Sequence, residues 1–209
     1  MSLRALLSDV DPAWYAREGG QGFDPQLLAA ARASPLGQRL LVRALPAAAT
    51  SVLLAPRPGA SAYATLAKRL PRGRLAALVR DLGILAFAPM IRAEVRREPV
   101  RRLRGLLGTG YLLALDATVW DGRMARDAHA RLQQEWQALI DDPAFLVDPV
   151  PLGALFDRQG RSELRAWATG RSPALAEWTR LVHGDEAPRA AHLPEKAVLR
   201  VVTHHENSD

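Results

Sequence analysis

The sequence predicts a mainly α-helical protein: a compact multi-helix orthogonal bundle over residues 1–141, a connecting loop at 142–151, and a small helical C-terminal subdomain and tail at 152–209. Three observations predict it. Apolar residues recur at steps of three and four along most of the chain, the spacing that lines one face of an α-helix. Proline, glycine and short capping residues fall mostly between those runs. A chain of 209 residues with 48% hydrophobic content is also long enough to bury one sizeable core or two small ones.

Taken in order, Asp11-Pro12 and Asp24-Pro25 each pair a capping carboxylate with proline at a first helical position, so short helices start there, the first ending at Gly19-Gly20. Trp14 and Tyr15 are expected on the core. Ser34-Pro35 repeats the signal, with Leu36, Leu40, Leu41 and Leu45 as the inward face up to Pro46. The run from Ala47 to Ala55 is open between a short helix and a strand, and Pro56 to Gly59 is a loop. Ser61 caps a helix carrying Tyr63, Leu66 and Leu70, closed by Pro71 and Gly73.

The centre of the chain follows. Leu75, Leu78, Val79, Leu82, Leu85 and Phe87 share a helical face interrupted by Gly83, and a glycine there costs about 1 kcal/mol relative to alanine unless another backbone approaches it closely. Pro89 requires a break near Ala88 and a new helix, on which Ile91 and Val95 share a face. Pro99 repeats the device ahead of Val100, Leu103, Leu106 and Leu107, and Gly108 and Gly110 stop that segment.

Asp121-Gly122 is a turn signal. Met124 to Ile140 is a helix with Ala128, Leu132, Trp136, Leu139 and Ile140 inside, ending before Asp142-Pro143. The proline- and aspartate-rich 142–151 stretch is the subdomain boundary. Leu152 to Phe156 makes one turn. Ser162 to Ala168 and Pro173 to His183 are two helices joined at Gly170, the second capped by Ser172, with Trp167 and Trp178 placed to lock them. Glu195 to Thr203 is open between helix and edge strand, and His204 to Asp209 is expected to fray.

Composition narrows the chemistry. There is no cysteine, which excludes disulfides, thiolate metal sites and a cysteine nucleophile. The N-terminal apolar run is too short for a signal peptide, and no eighteen uncharged apolar residues run together, so a cytoplasmic location is expected. The chain carries +6 overall. Between Leu66 and Leu106 there are eleven basic residues and three acidic ones (Asp81, Glu94 and Glu98), a local charge of +8, and the remainder is therefore slightly acidic. The basic character is concentrated, and it points to an anionic partner.

No reactive constellation accompanies it. His129 and Glu135 are six residues apart and share no helical face; Asp141-Asp142 reads as a helix stop; His204-His205-Glu206 resembles a metal-binding fragment but sits in the tail. Gly105, Gly108 and Gly110 follow helical sequence and fail the context for a phosphate loop. No catalytic residue, metal or cofactor is expected. Arg92, Arg96, Arg97, Arg101 and Arg104 are the candidate partner-binding residues, offering bidentate donors to acidic groups. A solvated arginine face remains open as the plain alternative. So does a helical DNA-binding regulator using the basic 75–107 segment, though Pro99 and the scarcity of Asn, Gln and Ser among the arginines count against it.

The residues Leu78-Val-Arg-Asp-Leu-Gly-Ile-Leu85, then Met90-Ile91-Arg92, Val95, Pro99-Val100 and Leu103 to Leu107, together with Ser162-Glu-Leu-Arg-Ala-Trp167 and Ala176-Glu-Trp178, resemble in order the K component of bacterial type III secretion injectisomes, the SctK/YscK family. The resemblance covers roughly Leu75 to Trp120 and Arg161 to Leu181. It implies a non-enzymatic cytoplasmic adaptor of the sorting platform, without cofactor and with no nucleic acid expected. Such an adaptor links the cytoplasmic domain of the inner-membrane ring protein, SctD, to the pod protein, SctQ, and is peripheral to the membrane through those partners. Two protein-binding surfaces are implied, whereas the five arginines rest on charge clustering and not on the family.

Overall fold

Capping side chains fix where the first helices begin. In this computed structural model, which describes residues 2–16, 24–54, 71–146, 148, 150–171, 173–184 and 189–207, the Ala5 N–H donates to the Ser2 hydroxyl ahead of α1 (Leu3–Asp9). The Ala13 N–H donates to Asp11 Oδ1 at 2.9 Å at the head of a 3₁₀ turn (Pro12–Tyr15). The Gln26 N–H donates to Asp24 Oδ1 at 2.9 Å in α2 (Pro25–Ala33), and the Gly37 N–H to Ser34 Oγ at 3.0 Å in α3 (Pro35–Ala44). Each proline takes a position whose N–H would lack a helical partner anyway.

The chain continues through α4 (Ala47–Leu54), α5 (Arg72–Ala86), α6 (Ala88–Ala93), α7 (Arg97–Leu107), α8 (Thr109–Leu115), α9 (Arg126–Ile140), a second 3₁₀ turn (Pro143–Leu146), α10 (Val150–Arg171), α11 (Pro173–His183) and α12 (Glu195–Asn207). No strand occurs among the described residues, so the protein is mainly α. Both stretches left open between helix and strand, at α4 and α12, are helical. The expected helix over 61–70, the loop at 56–59, the Gly19-Gly20 stop and the Ser172 cap lie outside the described residues.

Contacts gather the chain into two units, Met1–Arg72 with Ala168–Ala187, and Gly73–Trp167 with Pro188–Asp209. The 142–151 segment lies inside the second unit, so packing divides the chain elsewhere than at that loop. Sequence expected one turn at 152–156 and a separate helix at 162–168; α10 instead runs unbroken for 22 residues through Gly153 and Gly160.

In the first unit, Leu6, Leu7, Val10, Leu28, Leu41, Val42, Leu45, Val52 and Leu53 are buried together with Leu175, Trp178, Leu181 and Val182 of α11. Helices α2 and α3 approach closely. A Cβ added at Gly37 would overlap the Ala31 carbonyl oxygen and stand 2.6 Å from Ala31 Cα. That contact rotates α3 away from the expected face: Leu41 and Leu45 are inward, but Leu36 and Leu40 are 68% and 56% exposed. Trp14 is half-buried, its indole N–H donating to the Arg180 carbonyl at 3.2 Å while the Arg180 guanidinium carbon lies 4.5 Å from its ring.

In the second unit α5 and α10 cross backbone to backbone. A Cβ at Gly83 would overlap the Phe156 carbonyl oxygen, and one at Gly160 would overlap the Val79 carbonyl oxygen and stand 2.8 Å from the Gly83 nitrogen. The close approach expected at Gly83 is therefore present, with a second glycine supplying the other half. Beside the crossing, Arg80 donates to both oxygens of Asp157 at 2.5 and 2.7 Å, over Gly153. Phe87, Trp136 and Phe156 are buried with ring centroids 5.7 to 6.4 Å apart.

Other differences have local causes. Helix α6 ends at Ala93, so Val95 lies in an extended linker and is 86% exposed instead of sharing the Ile91 face. Pro99 falls within the first turn of α7, where no helical N–H bond is lost, so the helix starts two residues earlier. Gly108, at φ 52°, ends α7, but Gly110 belongs to α8, where an added Cβ would meet Ile84 Cδ1 at 2.7 Å. The expected frayed tail is helical to Asn207, and His205 Nε2 lies 2.8 Å from Asp81 Oδ2. Trp167 and Trp178 are both buried, one in each unit.

Three substitutions test these contacts through stability. Gly160→Ala should lower the unfolding free energy in a urea titration by about 3 kcal/mol, because backbone cannot yield to the new methyl. Gly170→Ala, which meets open space in the same helix, should raise it by up to ~1 kcal/mol. At the other end of the molecule's pH range, burial pushes the Tyr15 hydroxyl up to about 12, with the Arg32 charge opposing it only in part. Its contribution is complete below the unfolded value near 10 and is lost as pH rises from about 10 to 12, roughly 2–3 kcal/mol. Tyr15→Phe should flatten that alkaline decline in melting temperature and leave stability at neutral pH nearly unchanged, since the hydroxyl has no hydrogen-bond partner among the described residues.

Candidate functional site

The structure separates Arg92, Arg96, Arg97, Arg101 and Arg104 into two internal braces and one open row. Arg92, on α6, donates from Nε to the Ala114 carbonyl at 2.6 Å and from Nη2 to the Trp120 carbonyl at 2.9 Å. It closes the end of α8 and holds the chain beyond it, and so does not offer a surface. Arg96 donates to both oxygens of Glu94 at 2.9 and 2.8 Å and to Asp141 Oδ1 at 2.7 Å, tying the α6–α7 linker to the end of α9. The Arg96 hydrogen bond holds the Glu94 carboxyl below the usual carboxylate range, and the two carboxylates push Arg96 further up. Its guanidinium is already matched inside the molecule.

Arg97, Arg101 and Arg104 form the open row. Their spacing of four and then three residues puts them within a sector of about 60° on α7, opposite the fully buried Leu103. All three are exposed, and among the described residues neither Arg97 nor Arg101 makes a hydrogen bond or ion pair. Like charges one turn apart disfavour a helix by roughly 0.2–0.5 kcal/mol per pair. Arg104 is steadied by Tyr111 of α8, its guanidinium carbon 5.3 Å from the ring centroid. On α8, Leu112 and Leu115, one and four residues beyond Tyr111, are exposed.

A second cluster escaped the sequence reading. Glu163 is buried on α10 and accepts from Gln159 Nε2 at 2.7 Å, from the His192 backbone N–H at 3.1 Å and from the Leu193 N–H at 3.0 Å, while His192 Nδ1 lies 2.9 Å from its Oε1. The other ring nitrogen of His192 is 3.2 Å from the Ala86 carbonyl. Arg131 donates to the Ala190 carbonyl at 3.0 Å, the Arg189 N–H donates to Ser162 Oγ at 3.0 Å, and the Arg189 guanidinium pairs with Glu135. With its oxygens occupied, Glu163 acts as a clamp that lays residues 189–193 on α9 and α10. One signal was available. Gln159 and Glu163 are an i, i+4 polar pair on a face otherwise made of Leu152, Leu155, Phe156, Leu164 and Trp167.

Of the remaining histidines, His205 is tied to Asp81, and His204 meets its ring edge-on at 5.8 Å. Among the described residues no three His, Asp or Glu side chains are grouped to hold a metal ion, and no helix is long and apolar enough to cross a membrane.

Glu163→Gln keeps the shape but turns an NH₂ toward donors, so it should lower stability by roughly 2–3 kcal/mol in urea. Trypsin should then cut at Arg189 faster, because the clamped segment loses its acceptors. The chain matches no protein-family model, no curated protein and no solved structure.

Proposed function

We propose that this protein is a binding adaptor whose α7 row, Arg97, Arg101 and Arg104, docks on an acidic face of a protein partner. The observation that carries this reading is that Arg97 and Arg101 are exposed, one turn apart and unmatched among the described residues, whereas neighbouring Arg92 and Arg96 are spent on internal acceptors. Arginines of that kind set encounter rate and orientation, and the exposed leucines of α8 supply area to bury. The leucines also favour a protein over a nucleic acid as the anionic partner. In its finer form the proposal is a cytoplasmic adaptor of a type III secretion injectisome, linking an SctD-type ring protein to an SctQ-type pod protein. That form is supported by the order of residues at 78–107 and 162–178, which resembles the K component.

The test reverses charge where the fold does not use it. Arg97→Glu with Arg101→Glu should weaken copurification with the ring protein's cytoplasmic domain by at least roughly tenfold, with circular dichroism and melting unchanged. Unaltered binding would rule this surface out. A duplex DNA shift that fades steeply with salt and is lost in the double variant would instead favour the DNA-binding alternative.

A further inference from the structure

A different face, in the first unit and independent of the α7 reading, also has no partner among the described residues. On α3, Leu36 and Leu40 are one turn apart and largely exposed, Arg39 and Arg43 are one turn apart beside them, and Leu27 of the neighbouring α2 is 56% exposed. The four α3 positions follow i, i+3, i+4, i+7, a single helical face that carries two parallel ridges, one apolar and one cationic. Neither Arg39 nor Arg43 makes a hydrogen bond or ion pair among the described residues. The face is also held firmly, because the Gly37–Ala31 contact fixes α3 on α2 with those side chains pointing away from the core.

We infer that this face is a docking site for an acidic amphipathic helix of a protein partner, with leucines of that helix lying along Leu36 and Leu40 and its carboxylates pairing with Arg39 and Arg43. Charge decides among the occupants. From Pro25 to Arg80 the sequence contains nine basic residues and no aspartate or glutamate, so this part of the chain offers no complement of its own. A second copy docking through the same face would set like charges against each other. A bilayer that accepted Leu36 would also have to accept Arg43, which projects within about 20° of it on the helix. An opposing helix with alternating leucine and glutamate ridges meets both rows at once, as ridges of one helix enter the grooves of another.

The probe is a synthetic helical peptide with leucines at i, i+4 and i+7 flanked by glutamates, titrated by fluorescence anisotropy against the full chain. Leu36→Ser with Leu40→Ser, and separately Arg39→Glu with Arg43→Glu, should each weaken binding by roughly tenfold or more with circular dichroism unchanged. The arginine variant should gain affinity for the same peptide carrying lysines in place of glutamates. Arg97→Glu with Arg101→Glu should leave peptide binding as it was, which separates this face from the α7 row. Absence of peptide binding, or binding insensitive to both pairs of substitutions, overturns the inference. So does cosedimentation with phosphatidylserine-containing vesicles, without peptide binding, that is abolished by the same changes, because the face would then belong to a membrane surface.

Discussion

The second unit depends on one contact, the place where α5 and α10 touch through Gly83 and Gly160. Each glycine faces the carbonyl one turn before the other, Val79 for Gly160 and Phe156 for Gly83. Any side chain at either position would push the helices apart. Because the contact is backbone on backbone, it fixes both the separation and the register of the two helices. Phe87 and Phe156 then arrive at Trp136, Arg80 reaches Asp157, and Gln159 and Glu163 face inward one turn further on. The clamp at Glu163 returns the chain to α12, where His205 meets Asp81. Interiors as dense as this transmit small displacements, so a shift at the crossing would be felt at each of those sites.

Across the chain, one residue type does three different things, and in places none of them. Arg92 satisfies carbonyls at a helix end, Arg80 and Arg96 grip carboxylates, Arg104 and Arg180 lie over aromatic rings, and Arg97 and Arg101 do none of these among the described residues. Net charge treats them as equal, but they differ in what their removal would leave behind. Losing Arg92 would strand two acceptors, whereas losing Arg97 would relieve repulsion. A charge-dense segment is thus a mixture of residues that hold the fold and residues available to something else.

That distinction marks how far the sequence could be read. Caps at Asp11, Asp24 and Ser34, the break at Phe87 and Ala88, and the stop at Gly108 were legible because each is settled within a few residues. Gly83 was read correctly as a close approach, while Gly160 was passed over as part of a gap. The cost of a glycine inside a helix, about 1 kcal/mol, is small beside the apolar surface that α10 buries, so the helix runs on through Gly153 and Gly160. The Leu36 and Leu40 error arose because the smallest residue, Gly37, and not the largest ones, sets which way α3 turns. Of the five arginines, the role of Arg92 was hidden because its acceptors lie 22 and 28 residues away. For Arg96 only the Asp141 half was hidden, 45 residues away, since its other partner Glu94 stands two residues before it. Glu163 and His192 are likewise paired only by the tertiary fold.

The same pair of groups recurs on two faces. On α3, guanidiniums without a partner among the described residues share a helix face with exposed leucines, and α7 and α8 again carry such guanidiniums and exposed leucines. Arginine alone would be well served by water, and scattered leucines are ordinary on any surface. Together on a rigid helix they are less easily dismissed, since each group lowers what the other needs. Apolar contact excludes water and strengthens the ion pairs, and the ion pairs reject partners of the wrong sign that the leucines alone would accept. Selectivity for an acidic, amphipathic surface is therefore a property of the combination. It requires no movement of the core, because both faces are already held outward, one by Gly37 on Ala31 and the other by Leu103 beneath α7.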